Sequence, residues 1–265
     1  MAVRIEKSGP VWTVIHSRAQ ARNAMDPASA AALVEAFEAF DADAGASVAV
    51  FWGEGGAFCA GYDLKYAASQ ARDGSFFERA FPTDGGKPPP GPMGPSRMEL
   101  SKPVIGAIEG PAVAGGMELA LWCDVRVMAE TAYMGVYCRR WGVPLIDGGT
   151  VRLPRLVGQG RAMEIILTGR KVAAEECARI GLAERITEHG AARAGAEAMA
   201  HEIARFPQAC VRADRRSVYL AHGRSVREGL EAEWNNSAGV FAEEGKAGAA
   251  RFTSGKGRGG NFENI

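Results

Sequence analysis

The chain has 265 residues, of which 47% are hydrophobic, 23% charged and 8% aromatic. This is the make-up of a soluble globular protein with a full core, and it excludes a disordered, collagenous or coiled-coil chain. Thirty-one basic and 31 acidic side chains cancel, so no overall field favours nucleic acid or an anionic membrane, and any anionic ligand has to be held locally.

The chain opens Met1-Ala2-Val3-Arg4-Ile5-Glu6-Lys7 without the apolar run of a signal peptide, and no later stretch of about 18 apolar residues follows. Five scattered cysteines (Cys59, Cys123, Cys138, Cys177, Cys210) form no C-x-x-C pair. That pattern suggests neither a disulfide framework nor a zinc site and fits a reducing cytoplasm. Val3 to Ile5 and Val11 to Ile15, separated by Lys7-Ser8-Gly9-Pro10, read as a β-hairpin. Asp26 caps a helix that starts at Pro27 and runs to about Ala44, and Val48 to Trp52 is a buried strand. Leu64 to Phe81 begins as a helix and gives way to Pro82 through Pro92, a surface loop too rich in proline and glycine to be regular. Val104 to Ile108 is a strand, Gly115 to Trp122 a helix and Val125 to Ala129 another strand, an alternation that implies parallel sheet. From about Val151 the pattern is almost all helix: Met163 to Leu167, Ala173 to Ile180, Ala191 to Arg205, Gln208 to Ala221 and Val226 to Phe241. The fold class is therefore α/β with a helical C-terminal part.

Glycine is nearly twice as abundant as its ordinary share of about 7%, at 34 residues, and three glycine-rich segments carry the chemistry. Gly55 to Leu64 follows a buried strand, where glycines let backbone N–H groups approach a ligand; taken alone it reads more readily as a strand-to-helix turn. In Gly106 to Glu118, glycines open a helix whose unpaired N-terminal amides suit a developing oxyanion. Glu118 falls one turn beyond Gly115; it is either a solvated first-turn glutamate or a buried carboxylate, and its apolar neighbours favour burial. In Gly142 to Thr150, Asp147 precedes Gly148-Gly149 and is either an N-cap or a functional acid. None of the four histidines falls in these segments, which argues against a Ser-His-Asp hydrolase and a histidine metal site.

Ala57-Phe58-Cys59-Ala60-Gly61-Tyr62-Asp63-Leu64, then Lys102-Pro103-Val104-Ile105-Gly106-Ala107 leading into Gly115-Gly116-Met117-Glu118-Leu119-Ala120 and Cys123-Asp124, resemble the crotonase superfamily, the enoyl-CoA hydratases and isomerases. Gly148-Gly149-Thr150, Leu153 to Gly158 and Leu167-Thr168-Gly169 extend the likeness over essentially the whole chain. The resemblance implies a crotonase-like spiral of ββα units with the CoA and acyl site in residues 1–200, and a helical C-terminal region and tail over 201–265. That C-terminal region would serve trimerisation, as a homotrimer or a dimer of trimers. The substrate it implies is an acyl-CoA thioester, with no separate cofactor, no metal, and neither nucleic acid nor membrane as partner.

By the same resemblance, the thioester oxygen is gripped by the backbone N–H groups of Ala60 and Gly115. A hydratase of this family uses two glutamates; one matches Glu118, and the other position holds Cys138 here. A neutral thiol is a poor acid or base at its ordinary pKa, so Asp147 is expected to complete the pair. Its place is similar to that of a functional aspartate in dihydroxynaphthoyl-CoA synthase and chlorobenzoyl-CoA dehalogenase. Arg22, Ala24, Asp63, Leu64, Lys65 and Gly116 are expected near CoA, with Lys256, Arg258 and Phe262 reaching in from the tail, and Met93 to Met98 bordering the acyl group. The expected reaction is addition of water to a 2-enoyl-CoA. Its alternatives are an isomerase, another lyase or thioester hydrolase of the same superfamily, and, in a different class, a non-catalytic acyl-CoA-binding trimer.

Overall fold

The structure, a computed structural model, describes residues 2–69 and 80–257. The hairpin forms as β1 (Val3–Ser8) and β2 (Val11–His16), paired antiparallel. Helix α1 (Pro27–Ala42) starts where the sequence places it, because the Asp26 carboxylate accepts the Ser29 amide at 2.8 Å and Pro27 presets the first turn. Strands β3 (Val48–Gly53), β4 (Val104–Ile108) and β6 (Val125–Ala129) follow, with a short β5 (Pro111–Val113) after β4 and a short β7 (Tyr133–Gly135) after β6. Helix α2 (Leu64–Ser69) follows β3, α3 (Gly115–Trp122) follows β5, and α4 (Gly149–Val157) follows β7.

The C-terminal half contains α5 (Gln159–Thr168), β8 (Val172–Ala173), α6 (Ala174–Arg179), β9 (Arg185–Thr187), α7 (Ala192–Ala204), α8 (Gln208–Ala221), α9 (Val226–Val240) and α10 (Lys246–Thr253). Its near-continuous helix is thus interrupted by two strands. Both are too short to show a period of two, and β9 exists because it pairs with β6 as the last strand of the large sheet. The same brevity hides β5 and β7 in the sequence.

The large sheet runs β1-β2-β3-β4-β6-β9, parallel from β2 onward; the small one runs β5-β7-β8. Strands β4 and β6 of the large sheet each feed a short partner in the small one and then a helix: β4-β5-α3, then β6-β7-α4. The earlier turn does the same, with β3 leading to Cys59, bridged to Ala112, and then to α2. Every turn advances by one parallel strand, which makes the chain a spiral of ββα units.

Buried on both faces, the central strands sort their side chains by alternation. Val48, Val50, Ile105, Ala107 and Val127 face α7, whose Ala196 and Ala200 allow close approach. Ala49, Phe51, Val104 and Ile108 face the main core. There Phe37, Phe51, Phe58 and Trp122 form edge-on contacts with ring centres 4.9–5.5 Å apart, each adding about 0.5–1.5 kcal/mol beyond simple burial. Helix α8 is fastened by Arg215 and Tyr219, both bonded to Asp124 Oδ1 at 2.8 and 2.6 Å. Among the described residues no helix is long and apolar enough to cross a membrane.

Candidate active site

The spiral brings the three glycine-rich segments to one place, at the ends of β3, β4 and β6. Beyond β3 the chain doubles back so that Cys59 pairs with β5: its amide donates to the Pro111 carbonyl at 3.1 Å and its carbonyl accepts the Val113 amide at 3.0 Å. Close contact follows because the facing residues lack side chains. A Cβ on Gly61 would lie 3.2 Å from the Gly115 nitrogen, and one on Gly116 only 2.0 Å from the Cys59 carbonyl oxygen. Ala114, just before α3, has φ of 54°, a strained conformation for alanine that costs about 1–3 kcal/mol. Its amide is pinned to the Gly135 carbonyl at 2.8 Å, so the register of β5 and β7 maintains the strain and sets the direction of the first helical amides.

The two expected oxygen-binding amides therefore lie side by side, in different states. The Gly115 amide opens α3 and meets no acceptor among the described residues, whereas the Ala60 amide donates to the Arg22 carbonyl at 3.0 Å. Arg22 and Asn23 both have left-handed backbones, with φ of 49° and 55°. Asn23 holds them there through its buried side chain, which donates to the Glu54 and Ala57 carbonyls and accepts the Arg18 amide.

Glu118 is 3% exposed and is no solvated first-turn glutamate. Its Oε1 accepts the amides of Asp147 at 2.9 Å and Gly149 at 2.8 Å, so this carboxylate faces the N-terminus of α4. A Cβ on Gly149 would sit 3.0 Å from Oε1, so any larger residue there would push the Glu118 carboxylate by a few tenths of an ångström. Burial pushes the Glu118 carboxyl up to about 7 and the charge of Asp147 adds to the rise, against the lowering effect of the two amides.

Asp147, also 3% exposed, is not the N-cap of α4; Gly148 takes that position. Its Oδ1 accepts the Met93 amide at 3.1 Å and the Ser96 hydroxyl. Burial raises its pKa, while Ser96, Met93 and the cations Arg97 and Arg152 oppose that rise. Each carboxylate thus has one oxygen occupied by donors, and the other meets no donor among the described residues. Cys138 lies buried within electrostatic reach of Glu118, and burial raises its thiol further, so it stays neutral. Two carboxyls and a neutral thiol surround the N-termini of α3 and α4.

The residues expected near CoA differ in exposure. Arg22, Leu64 and Lys65 are exposed and Ala24 half-buried, while Gly116 is buried against Cys59. Asp63 is taken up by the fold: Oδ1 accepts the Lys65 and Tyr66 amides at the start of α2, and Oδ2 meets Arg18 at 3.0 Å. Its carboxylate therefore serves the turn, leaving the neighbouring backbone and cations for a ligand. Lys256 is exposed at the end of the described chain, and Arg258 and Phe262 lie outside the described residues.

Sequence reasoning set Met93 to Met98 beside the acyl group but missed Ser96 as the partner of Asp147, and missed Arg152 altogether. The loop is exposed over residues 80–87 as expected, but residues 91–96 turn inward and are buried. Met93 packs on Gly115, and Arg152 donates to the carbonyls of Asp147 at 3.0 Å and Ser96 at 2.8 Å. No spacing signal could reveal a partner for Asp147 that lies 51 residues away in an irregular segment.

Comparison with known proteins agrees with this fold. The family model described as Enoyl-CoA hydratase/isomerase matches residues 6–257. Enoyl-CoA hydratase EchA19 of Mycobacterium tuberculosis is 32% identical, the match covering 98% of this chain and 96% of that protein. An (E)-benzylidenesuccinyl-CoA hydratase of Thauera aromatica is 33% identical over 87% of each. The crystal structure of an enoyl-CoA hydratase from Bacillus anthracis superimposes with a TM-score of 0.86 at 29% identity, covering 96% of both chains. With the spiral, the paired glycine segments and a match over nearly its full length, the chain belongs to the enoyl-CoA hydratase/isomerase family of the crotonase superfamily.

Proposed function

We propose that the protein is a hydro-lyase that adds water across the double bond of a 2-enoyl-CoA. The observation that carries this reading is the pair of buried carboxyls, Glu118 and Asp147, beside the N-terminal amides of α3. Glu118 takes a proton from water as the oxygen bonds to the β-carbon, and electron density moves to the thioester oxygen. The amides of Gly115 and Ala60 receive that oxygen, the Ala60 amide after release from the Arg22 carbonyl. Asp147 then delivers a proton to the α-carbon, and Glu118 returns its own to Asp147. The charge of Asp147 bears on Glu118, so the two carboxyls titrate as a pair, and the step begins from the form in which the pair's one proton sits on Asp147 and Glu118 is ionised. Cys138, neutral and buried, takes no proton.

Arg22, Ala24, Leu64, Lys65 and Gly116 with the Asp63 turn are proposed to hold CoA, the exposed cations meeting its phosphates, with Lys256, Arg258 and Phe262 contributing from the tail. CoA is part of the substrate and no cofactor is required. The buried free thiols Cys59, Cys123, Cys138 and Cys177 favour a cytoplasmic location. A homotrimer or dimer of trimers belongs to the same proposal. Its support is an apolar face on the C-terminal helices, where Val226, Leu230, Trp234 and Phe241 are 61–81% exposed. Analytical ultracentrifugation is expected to give three or six times the 28.0 kDa chain mass; a monomer at micromolar concentration contradicts the assembly.

The activity is tested by the loss of conjugated-thioester absorbance of crotonyl-CoA and longer 2-enoyl-CoAs. Asp147→Asn is expected to lower kcat about 10²-fold, the ordinary contribution of one positioned acid, with little change in KM. An unchanged rate removes Asp147 from the mechanism.

A further inference from the structure

We infer that Ser96 is a positioning residue for Asp147, and that the inward-turned segment 91–96 completes the acid half of the site; this rests on the role proposed for Asp147. Ser96 is fully buried and its hydroxyl donates to Asp147 Oδ1, the oxygen that also accepts the Met93 amide at 3.1 Å. Both donors converge on one oxygen and leave Oδ2 to carry the transferable proton. They favour the carboxylate left behind when that proton moves to the α-carbon, so they strengthen Asp147 as an acid where burial alone would weaken it.

The segment is built to hold this contact. Gly94, with φ of 75°, lies so close to α1 that a Cβ would meet the Ala30 carbonyl oxygen at 2.7 Å. Gly91 lies over the hydrogen bond itself, where a Cβ would be 2.2 Å from both Asp147 Oδ1 and Ser96 Oγ. Arg152 ties the two segments together through one guanidinium, bonded to the main-chain carbonyls of Ser96 and Asp147. Gly148 admits that guanidinium, since a Cβ there would stand 2.1 Å from Nη1. A serine serving the fold alone would not need its hydroxyl aimed at a buried carboxyl, with a glycine keeping the space clear.

The test is the pH dependence of kcat/KM on crotonyl-CoA for wild type, Ser96→Ala, Ser96→Thr and Asp147→Asn. Loss of the donor weakens Asp147 as an acid, so both limbs of the Ser96→Ala profile are expected to move to higher pH. The larger displacement should be about one unit, the shift that losing one hydrogen bond to a charged group produces. A fall in kcat of about tenfold and an unchanged KM should accompany it, and Ser96→Thr, which keeps the hydroxyl, should restore both. Gly91→Ala intrudes on the same contact without removing either group and should displace the profile in the same direction. Slow Asp147→Asn together with a wild-type profile in Ser96→Ala or Gly91→Ala overturns the role of Ser96 alone. Asp147→Asn at the wild-type rate overturns the role of Asp147 and that of Ser96 with it.

Discussion

Glu118→Gln is expected to lower kcat/KM on 2-enoyl-CoAs by about 10³-fold or more, near the upper range for loss of a general base. The substitution isolates chemistry from folding, because a glutamine Oε1 can still accept the amides of Asp147 and Gly149 that Glu118 Oε1 accepts at 2.9 and 2.8 Å. What disappears is a group that takes up a proton near neutrality. Burial holds the Glu118 carboxyl at about 7, so the wild-type rate should climb as pH rises through that value, and the variant should lose this rise. The linkage to stability has the opposite sign. A carboxyl whose pKa is raised by folding contributes stability below its ordinary pKa of 4.5 and loses it as pH rises through about 7. Glu118→Gln should therefore melt no lower than wild type at pH 8. An inactive variant that also melts well below wild type would make Glu118 a structural residue. A fully active one would exclude it as the base.

Gly116→Ala is expected to cost the most among single-methyl changes at the site, about 3 kcal/mol, the upper end of ordinary overpacking. The added Cβ would lie 2.0 Å from the Cys59 carbonyl oxygen and 2.9 Å from Cys59 Cβ, and a main-chain atom cannot rotate aside. Helix α3 and the Cys59–Ala60 segment would have to separate, so the amides of Gly115 and Ala60 would lose their common aim. A misplacement of about 1 Å can cost about 10²-fold in rate. Gly115→Ala is the control: the atoms nearest its Cβ would all belong to the side chain of Met93, with the sulfur at 2.5 Å, and a flexible thioether can move. Thermal melting should show a drop of roughly 6–10 °C for Gly116→Ala and a smaller one for Gly115→Ala. Equal melting temperatures would mean that the close approach of α3 to Cys59 does not limit stability.

Much of the fold is local in origin and so is legible in the residues. The cap at Asp26, the β-branched runs of β2, β3 and β4 and the glycines opening α3 each state their structure within a few positions. Strands of two or three residues, β5, β7, β8 and β9, have no such signature, since only their partners in the sheets make them strands. The same distinction divides the site. Apolar neighbours in its own helix mark Glu118 as buried, and the ordered run of motifs identifies the superfamily. Asp147 reads equally as an N-cap or an acid until Ser96 and Met93 take its Oδ1.

The α/β class, the superfamily and the segments that carry the chemistry follow from the residues alone, because capping, periodicity and backbone freedom act between near neighbours. Which groups meet follows only from the folded chain. It set Glu118 against the N-terminus of α4, placed the Ala60 amide on Arg22, and turned the 91–96 segment inward onto Asp147. Those contacts span 29 to 54 residues where side chains are concerned, and only the winding of the spiral brings such distant segments within hydrogen-bond reach.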